Sequence, residues 1–274
     1  MIDEKLILKE DLLRICEDVI RKGDTLLAPG IAEYEIVRDV SKINLDPKAL
    51  PAKISFKSYV FPKSEPILYY KRSKNDVTLI DADVDGRKIV VLGAKPCDTG
   101  SIDIMKDLFN WDYRDEFFNL RAKHFIMIGM MCNAHDEYCF CTSVGCSPVS
   151  EKGSDLFLIP LSENEYALRI ITEKGKEFME PYFRFLSDGD AKRTADALAA
   201  ADNPRVAFDP KEVYEWLGRN FDSPKWDGIG EVCLSCAQCA FACPVCHCFD
   251  IVDEDYNYSE GRRMKNWDGC QFGH

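Results

Sequence analysis

The 274-residue sequence predicts a mixed α/β domain with a partly parallel sheet, followed by a small domain dense in cysteine. Three observations predict it. Apolar strand, helix and apolar strand follow one another at residues 88–93, 101–108 and 125–129, the order of a crossover unit. No cysteine occurs between Cys146 and Cys233, and six of the chain's 13 then fall within residues 233–248. Asn203-Pro204 and Ser223-Pro224 punctuate the approach to that segment. The expected division is an α/β domain over residues 1–200 and a small domain over residues 201–274.

The elements follow in order. Residues 9–21 place Leu12, Leu13, Cys16, Val19 and Ile20 three and four apart, the spacing of an amphipathic helix. Short β-branched and aromatic runs at 54–56, 58–61 and 66–70 predict strands. Residues 88–93 form a buried-strand pattern that passes through Pro96-Cys97-Asp98 into the helix at 101–108. Residues 125–129 form the next such strand and lead directly to Cys132. Residues 174–200 read as helical with a break at Ser187-Asp188-Gly189.

Composition narrows the function. With 35 Lys+Arg against 47 Asp+Glu, the net charge of −12 argues against a nucleic-acid binder, which needs a basic face. No apolar stretch approaches the ~18 residues that span a bilayer. The first residues lack a secretory apolar core, so the expected compartment is the reducing cytoplasm. Disulfides are rare there, and 13 cysteines cannot all pair within one chain. Clustered cysteines in that setting point to metal.

Cys233-x2-Cys236-x2-Cys239-x3-Cys243-Pro244 is the spacing of bacterial-type [4Fe–4S] ferredoxins, so the second domain is expected to be a small ferredoxin-like iron–sulfur domain. Three thiolates two residues apart converge from one tight loop onto three corners of a cube. A zinc site more often shows two separated C-x2-C pairs. The fourth ligand is open among Cys243, Cys246, Cys248 and Cys270. No second copy of the motif precedes His274.

The segment 233–253 resembles the iron–sulfur subunit shared by archaeal sulfhydrogenases, where it is the beta subunit, and by anaerobic sulfite reductases. The likeness extends to Pro224-x-Trp226-Asp227 and to Arg262-Arg263-x3-Trp267-Asp268-Gly269-Cys270. It also covers Val91-Leu92-Gly93-x2-Pro96-Cys97-Asp98 and Glu137-Tyr138-Cys139-Phe140-Cys141, and so spans the chain from about residue 50 onward. The resemblance implies an electron-relay subunit of an anaerobic oxidoreductase, carrying [4Fe–4S] clusters between a flavin- and NAD(P)-binding partner and a catalytic hydrogenase or sulfite reductase. Family members continue past the Trp-Asp-x-Cys element into a second ferredoxin motif. The chain is therefore expected to extend beyond His274.

Cys97, Cys132, Cys139 and Cys141 match family cysteines and are expected to hold an additional [4Fe–4S] cluster. Cys97 closes a strand and opens a helix, whose N-terminus favours a thiolate. Adjacent strands would bring it to Cys132 at the C-terminal edge of the sheet, where open α/β sheets hold ligands. Cys16 is expected to be a core side chain and Cys146 a bystander. His247, between two cysteines, would tune a cluster or face solvent. No dinucleotide fingerprint, phosphate loop or Ser/His/Asp arrangement is present. The competing reading is a subunit that itself reduces a sulfur compound or disulfide at a cysteine-bound cluster or flavin in the first domain.

Overall fold

The structure, a computed structural model, describes residues 3–269. It opens with β1 (Asp3–Leu8), α1 (Lys9–Arg21), β2 (Thr25–Pro29) and β3 (Tyr34–Ile36). After a loop come α2 (Lys57–Val60), β4 (Ser64–Arg72), β5 (Val77–Asp81) and β6 (Ile89–Ala94). Two helices, α3 (Pro96–Leu108) and α4 (Glu116–His124), lead to β7 (Phe125–Met130). Then follow β8 (Leu156–Pro160), β9 (Glu165–Ile170), α5 (Glu173–Met179), β10 (Leu186–Asp188) and α6 (Ala191–Ala199). The last stretch holds α7 (Pro210–Arg219), α8 (Lys225–Glu231), α9 (Gln238–Ala242), β11 (Phe249–Asp255) and β12 (Glu260–Trp267).

Eight strands form the main sheet in the order β10-β1-β9-β8-β7-β6-β2-β3. Its centre is parallel: β2 pairs β6, β6 pairs β7 and β7 pairs β8 in that sense. The flanks are antiparallel. This is the expected mixed α/β fold with a partly parallel sheet, and β6–α3–α4–β7 is the crossover read from residues 88–129. Strand periodicity divides the side chains between two faces. Val90 and Leu92 join Ile126 and Ile128 in a core against Leu12, Ile15 and Val19 of α1. Val91, Ala94 and Met127 face the other way, toward Ile102 and Met105 of α3 and toward Phe56, Val60, Phe61, Phe109 and Phe118.

The helix expected at 9–21 forms with those bounds. Residues 58–61 do not form a strand; α2 occupies them. Phe56 and Val60 are four apart and both buried, a helical face, and the Ser55 hydroxyl accepts the Lys57 N–H at 3.2 Å where that helix begins. Residues 54–56 make a single bridge from Ile54 to Glu33 rather than a strand. The helical stretch 174–200 divides more sharply than its sequence suggests. Pro181, lacking an N–H, ends α5 in a 3-10 turn over Glu180–Phe185, and the break at 187–189 becomes the edge strand β10.

A second, four-stranded antiparallel sheet has the order β11-β12-β4-β5. Glu260 pairs with Lys71 at one end of the β12–β4 ladder and Asn266 with Ser64 at the other. Strands on either side of residue 200 therefore share one sheet. A buried ionic group joins them: Lys265 Nζ lies 2.8 Å from Glu65 and 2.9 Å from Asp115, and Arg121 pairs with the same Glu65. Lys265 also faces the rings of Phe61, Phe109, Phe117 and Phe249.

Candidate metal centres

The cysteine-dense segment begins in a loop whose backbone is unusual. Ser235 (φ 51°) and Ala237 (φ 56°) are the two non-glycine residues with positive φ among the described residues. Left-handed backbone is unfavourable for residues with a Cβ and is kept where local structure demands it. It occurs in the loop that joins Cys233 and Cys236 to Cys239 at the start of the next helix, and the Ser235 N–H points to Cys233 Sγ at 3.4 Å. Ala237 starts α9; the Cys243 N–H then reaches the Cys239 carbonyl at 3.1 Å and the Cys246 N–H the Cys243 carbonyl at 3.4 Å. Cys233, Cys236, Cys239 and Cys248 are exposed, while Cys243 and Cys246 are half-buried. Cys270 lies outside the described residues.

The floor under this loop joins the end of β12 to residues from the first part of the chain. Trp267 N–H bonds the Lys63 carbonyl at 2.8 Å, Trp267 Nε1 bonds the Phe61 carbonyl at 3.2 Å, and the Asp268 N–H bonds the Cys248 carbonyl at 3.0 Å. The Trp267 ring packs on Phe61 and Phe241. Beside it lies Lys57, only 3% exposed. Its ammonium donates to the Ala240 carbonyl at 2.8 Å and the Cys246 carbonyl at 3.1 Å, and sits 4.0 Å from the centre of the Trp267 ring. Burial pushes the Lys57 amine down, and the thiols of Cys246 and Cys243 act against that push. No carboxylate pairs with it among the described residues. A buried ammonium without a countercharge costs several kcal/mol even after relaxation.

The middle cysteines gather at the C-terminal edge of the parallel strands. Gly93 (φ 75°) shifts the β6–β7 register, and α3 begins two residues beyond the strand, so Cys97 lies in the first helical turn. Cys132 follows β7, and its N–H bonds the Pro148 carbonyl at 2.9 Å. A 3-10 turn over Cys141–Val144 ends at Gly145 (φ 72°), which returns the chain so that the Cys146 N–H bonds the Cys141 carbonyl at 3.0 Å. Cys146 Sγ also lies 3.8 Å from the Pro96 carbonyl. Cys139 stands further out, its sulfur accepting the Asp136 N–H at 3.5 Å.

The free Cys97 thiol, in the first turn of α3, is not lowered by the helix end. Cys97 is exposed by surface area, yet desolvation by the atoms packed round it, then Asp98 and the neighbouring Cys132, Cys146 and Cys141, push its thiol up. Cys139 and Cys141 are raised as well, burial again the largest cause. A bound cation reverses this logic, because metal ligation deprotonates the thiol outright. Lys95, 2% exposed, is a second buried lysine: its ammonium donates to the Pro47 carbonyl at 3.2 Å. Burial lowers that amine, while Cys132, Asp46 and Cys97 hold it up.

Among the described residues, no three His, Cys, Asp or Glu side chains close on a single metal ion. A four-iron cubane spreads its thiolates wider than the ligands of one ion, and sulfur is the donor it takes. An all-thiol loop with a backbone N–H directed at sulfur and a buried ammonium beside it fits such a group, whose thiolate complex is anionic. Spacing alone did not find Lys57, Lys95 or the inward position of Cys146. The lysines carry no motif, and only Gly145 before Cys146 hints at the turn that brings it in. Cys16 is a core residue, 2% exposed between α1 and the sheet, its thiol pushed up to about 12 by burial. His247 is exposed, with Nδ1 3.0 Å from the Val245 carbonyl.

A family model described as a 4Fe-4S dicluster domain matches residues 232–274. The chain is similar to the sulfhydrogenase 2 subunit beta of Pyrococcus furiosus, 28% identical over 243 residues, which cover 86% of this chain and 69% of that protein. No solved structure matches it. These likenesses bear out the resemblance read from the cysteine motifs, and with it a C-terminal iron–sulfur domain whose cofactors are [4Fe–4S] clusters rather than zinc.

Proposed function

We propose that this chain, a [4Fe–4S] protein related to a sulfhydrogenase beta subunit, is the electron-relay subunit of a multi-subunit oxidoreductase. It passes single electrons between a flavin- and NAD(P)-binding partner and a catalytic partner such as a hydrogenase or sulfite reductase. The observation that carries this reading is the position of the ferredoxin-type loop. Cys233, Cys236 and Cys239 lie at the surface, among exposed Ile229, Val232 and Leu234, so a docked partner would come close to the sulfur ligands.

Cys233, Cys236 and Cys239 hold one cluster, with Cys243, Cys246, Cys248 and Cys270 supplying the remaining ligands of this domain. Cys97, Cys132, Cys139 and Cys141 hold a further cluster at the sheet edge. A bound [4Fe–4S] cluster supplies a reversible one-electron couple whose potential follows net charge, hydrogen bonds to sulfur and exposure. The protein sets those terms. The Ser235 N–H draws charge from the Cys233 sulfur.

The test is anaerobic purification with iron and sulfide analysis and EPR after dithionite, on wild type and on Cys132→Ser. The variant is expected to lose one cluster's worth of iron and sulfide and to keep the signal of the cluster held by residues 233–243. Undiminished iron would remove the sheet-edge cluster from the proposal. Turnover of sulfite, polysulfide or disulfides by the isolated chain would overturn the relay in favour of catalysis on this subunit.

A further inference from the structure

Lys57 lies far in sequence from every cysteine, outside the residues that match the dicluster domain, yet it forms the floor of that domain. Its amine is sequestered between two carbonyls and an indole face, all of them neutral partners. Those partners orient an ammonium without cancelling its charge. Each belongs to the segment that holds the cysteines or to the strand beneath it: Ala240 follows Cys239, the second carbonyl is that of Cys246, and Trp267 ends β12. A methionine would fill the same slot without the cost of desolvating a charge, so packing alone does not account for a lysine here.

We propose that Lys57 is the fixed countercharge of the C-terminal iron–sulfur site, a positioning residue that holds the potential of the cluster beside Cys243 and Cys246 at a higher value than the thiolates alone would give. The proposal rests on the presence of a [4Fe–4S] cluster in that domain. Reduction adds one electron, supplied by the upstream donor, and makes the iron–thiolate group one unit more negative. A buried cation at fixed distance stabilises the reduced form more than the oxidised one, and low local dielectric magnifies the difference. Trp267 keeps water from the amine's open side, so the effect should survive added salt better than that of a surface lysine.

The experiment is an EPR-monitored redox titration with dithionite on the full chain, comparing wild type, Lys57→Gln and Lys57→Arg, with iron and sulfide measured on each. In Lys57→Gln one cluster is expected to titrate at a more negative potential with unchanged iron, and Lys57→Arg to titrate as wild type. A fully loaded Lys57→Gln protein with every midpoint unmoved overturns the proposal. Where Lys57→Gln fails to load its clusters, the arginine variant decides. Full loading at the wild-type potential supports a role for charge. Loading as poor as that of the glutamine variant assigns Lys57 to shape alone and overturns it. Absence of iron and sulfide from wild type is a separate result, which would remove the cluster itself.

Discussion

Replacing Lys265 by methionine tests whether the iron–sulfur segment is held to the rest of the fold by charge. Lys265 and Glu65 are each 4% exposed at the side chain, while Asp115 and Arg121 retain 17% and 15%. Two cations thus meet two carboxylates in an aromatic surround. Methionine keeps the apolar stem and removes one cation, leaving Arg121 against Glu65 and the partly buried Asp115 without its cation, a net excess of one carboxylate in the group. Breaking a buried pair from one side costs about 3–5 kcal/mol. At roughly 2–4 °C per kcal/mol for chains approaching this size, the unfolding midpoint should fall by about 6–20 °C. Anaerobic thermal unfolding followed by far-UV circular dichroism measures it. The double variant with Glu65→Gln restores one charge of each sign and should be less damaged than the two single losses added together. A loss below about 1 kcal/mol in Lys265→Met, the range of an exposed pair, would refute the reasoning.

Two further outcomes follow from groups away from the cysteine nests. Cys16→Ala should leave iron and sulfide content unchanged while costing about 1–2 kcal/mol in urea unfolding, as expected for a small core side chain; lost iron would place this cysteine among the ligands. Asp18 accepts hydrogen bonds from Lys22, Tyr182 and Arg21, which hold its carboxyl well below the usual carboxylate range. A depressed folded-state value stabilises the protein above the unfolded value near ~3.9 and loses that stabilisation as pH falls. Asp18→Asn should therefore cost about 1 kcal/mol at neutral pH, with the difference from wild type closing below about pH 4; a difference that stays constant into acid would contradict the hydrogen-bonding account.

Local spacing revealed what local geometry governs. The helix at 9–21, the strands around 89–94 and 125–130 and the ferredoxin loop at 233–243 are each set by residues within a few positions of one another. Residues 58–61 misled because an aromatic, β-branched run suits a strand, while the burial of Phe56 and Val60 on one side makes it a helical turn. β8 and β9 carry no periodic signal in the sequence: Leu156, Phe157, Leu158 and Ile159 are all fully buried, and a short apolar run has no period to identify it. The convergence of Cys97 and Cys132 was legible from strand order. The inward turn of Cys146 and the two buried lysines were not, because their partners lie in other parts of the chain.

If this chain relays electrons as proposed, the ladder between β4 and β12 bears on how a redox partner would reach it. Ferredoxin modules on flexible tethers can swing between donor and acceptor, trading reach for the time spent searching. Here the segment after the cysteines returns as two strands and is stitched to a hairpin from the first third of the chain. Asp268 ties the far side of the cysteine loop to the end of that ladder. The cysteine loop is thereby tied into the same sheet as the hairpin from the first third of the chain. On the proposed relay reading, the spacing of the two cysteine groups would be fixed by the fold, and a partner would have to dock against the face that carries the loop.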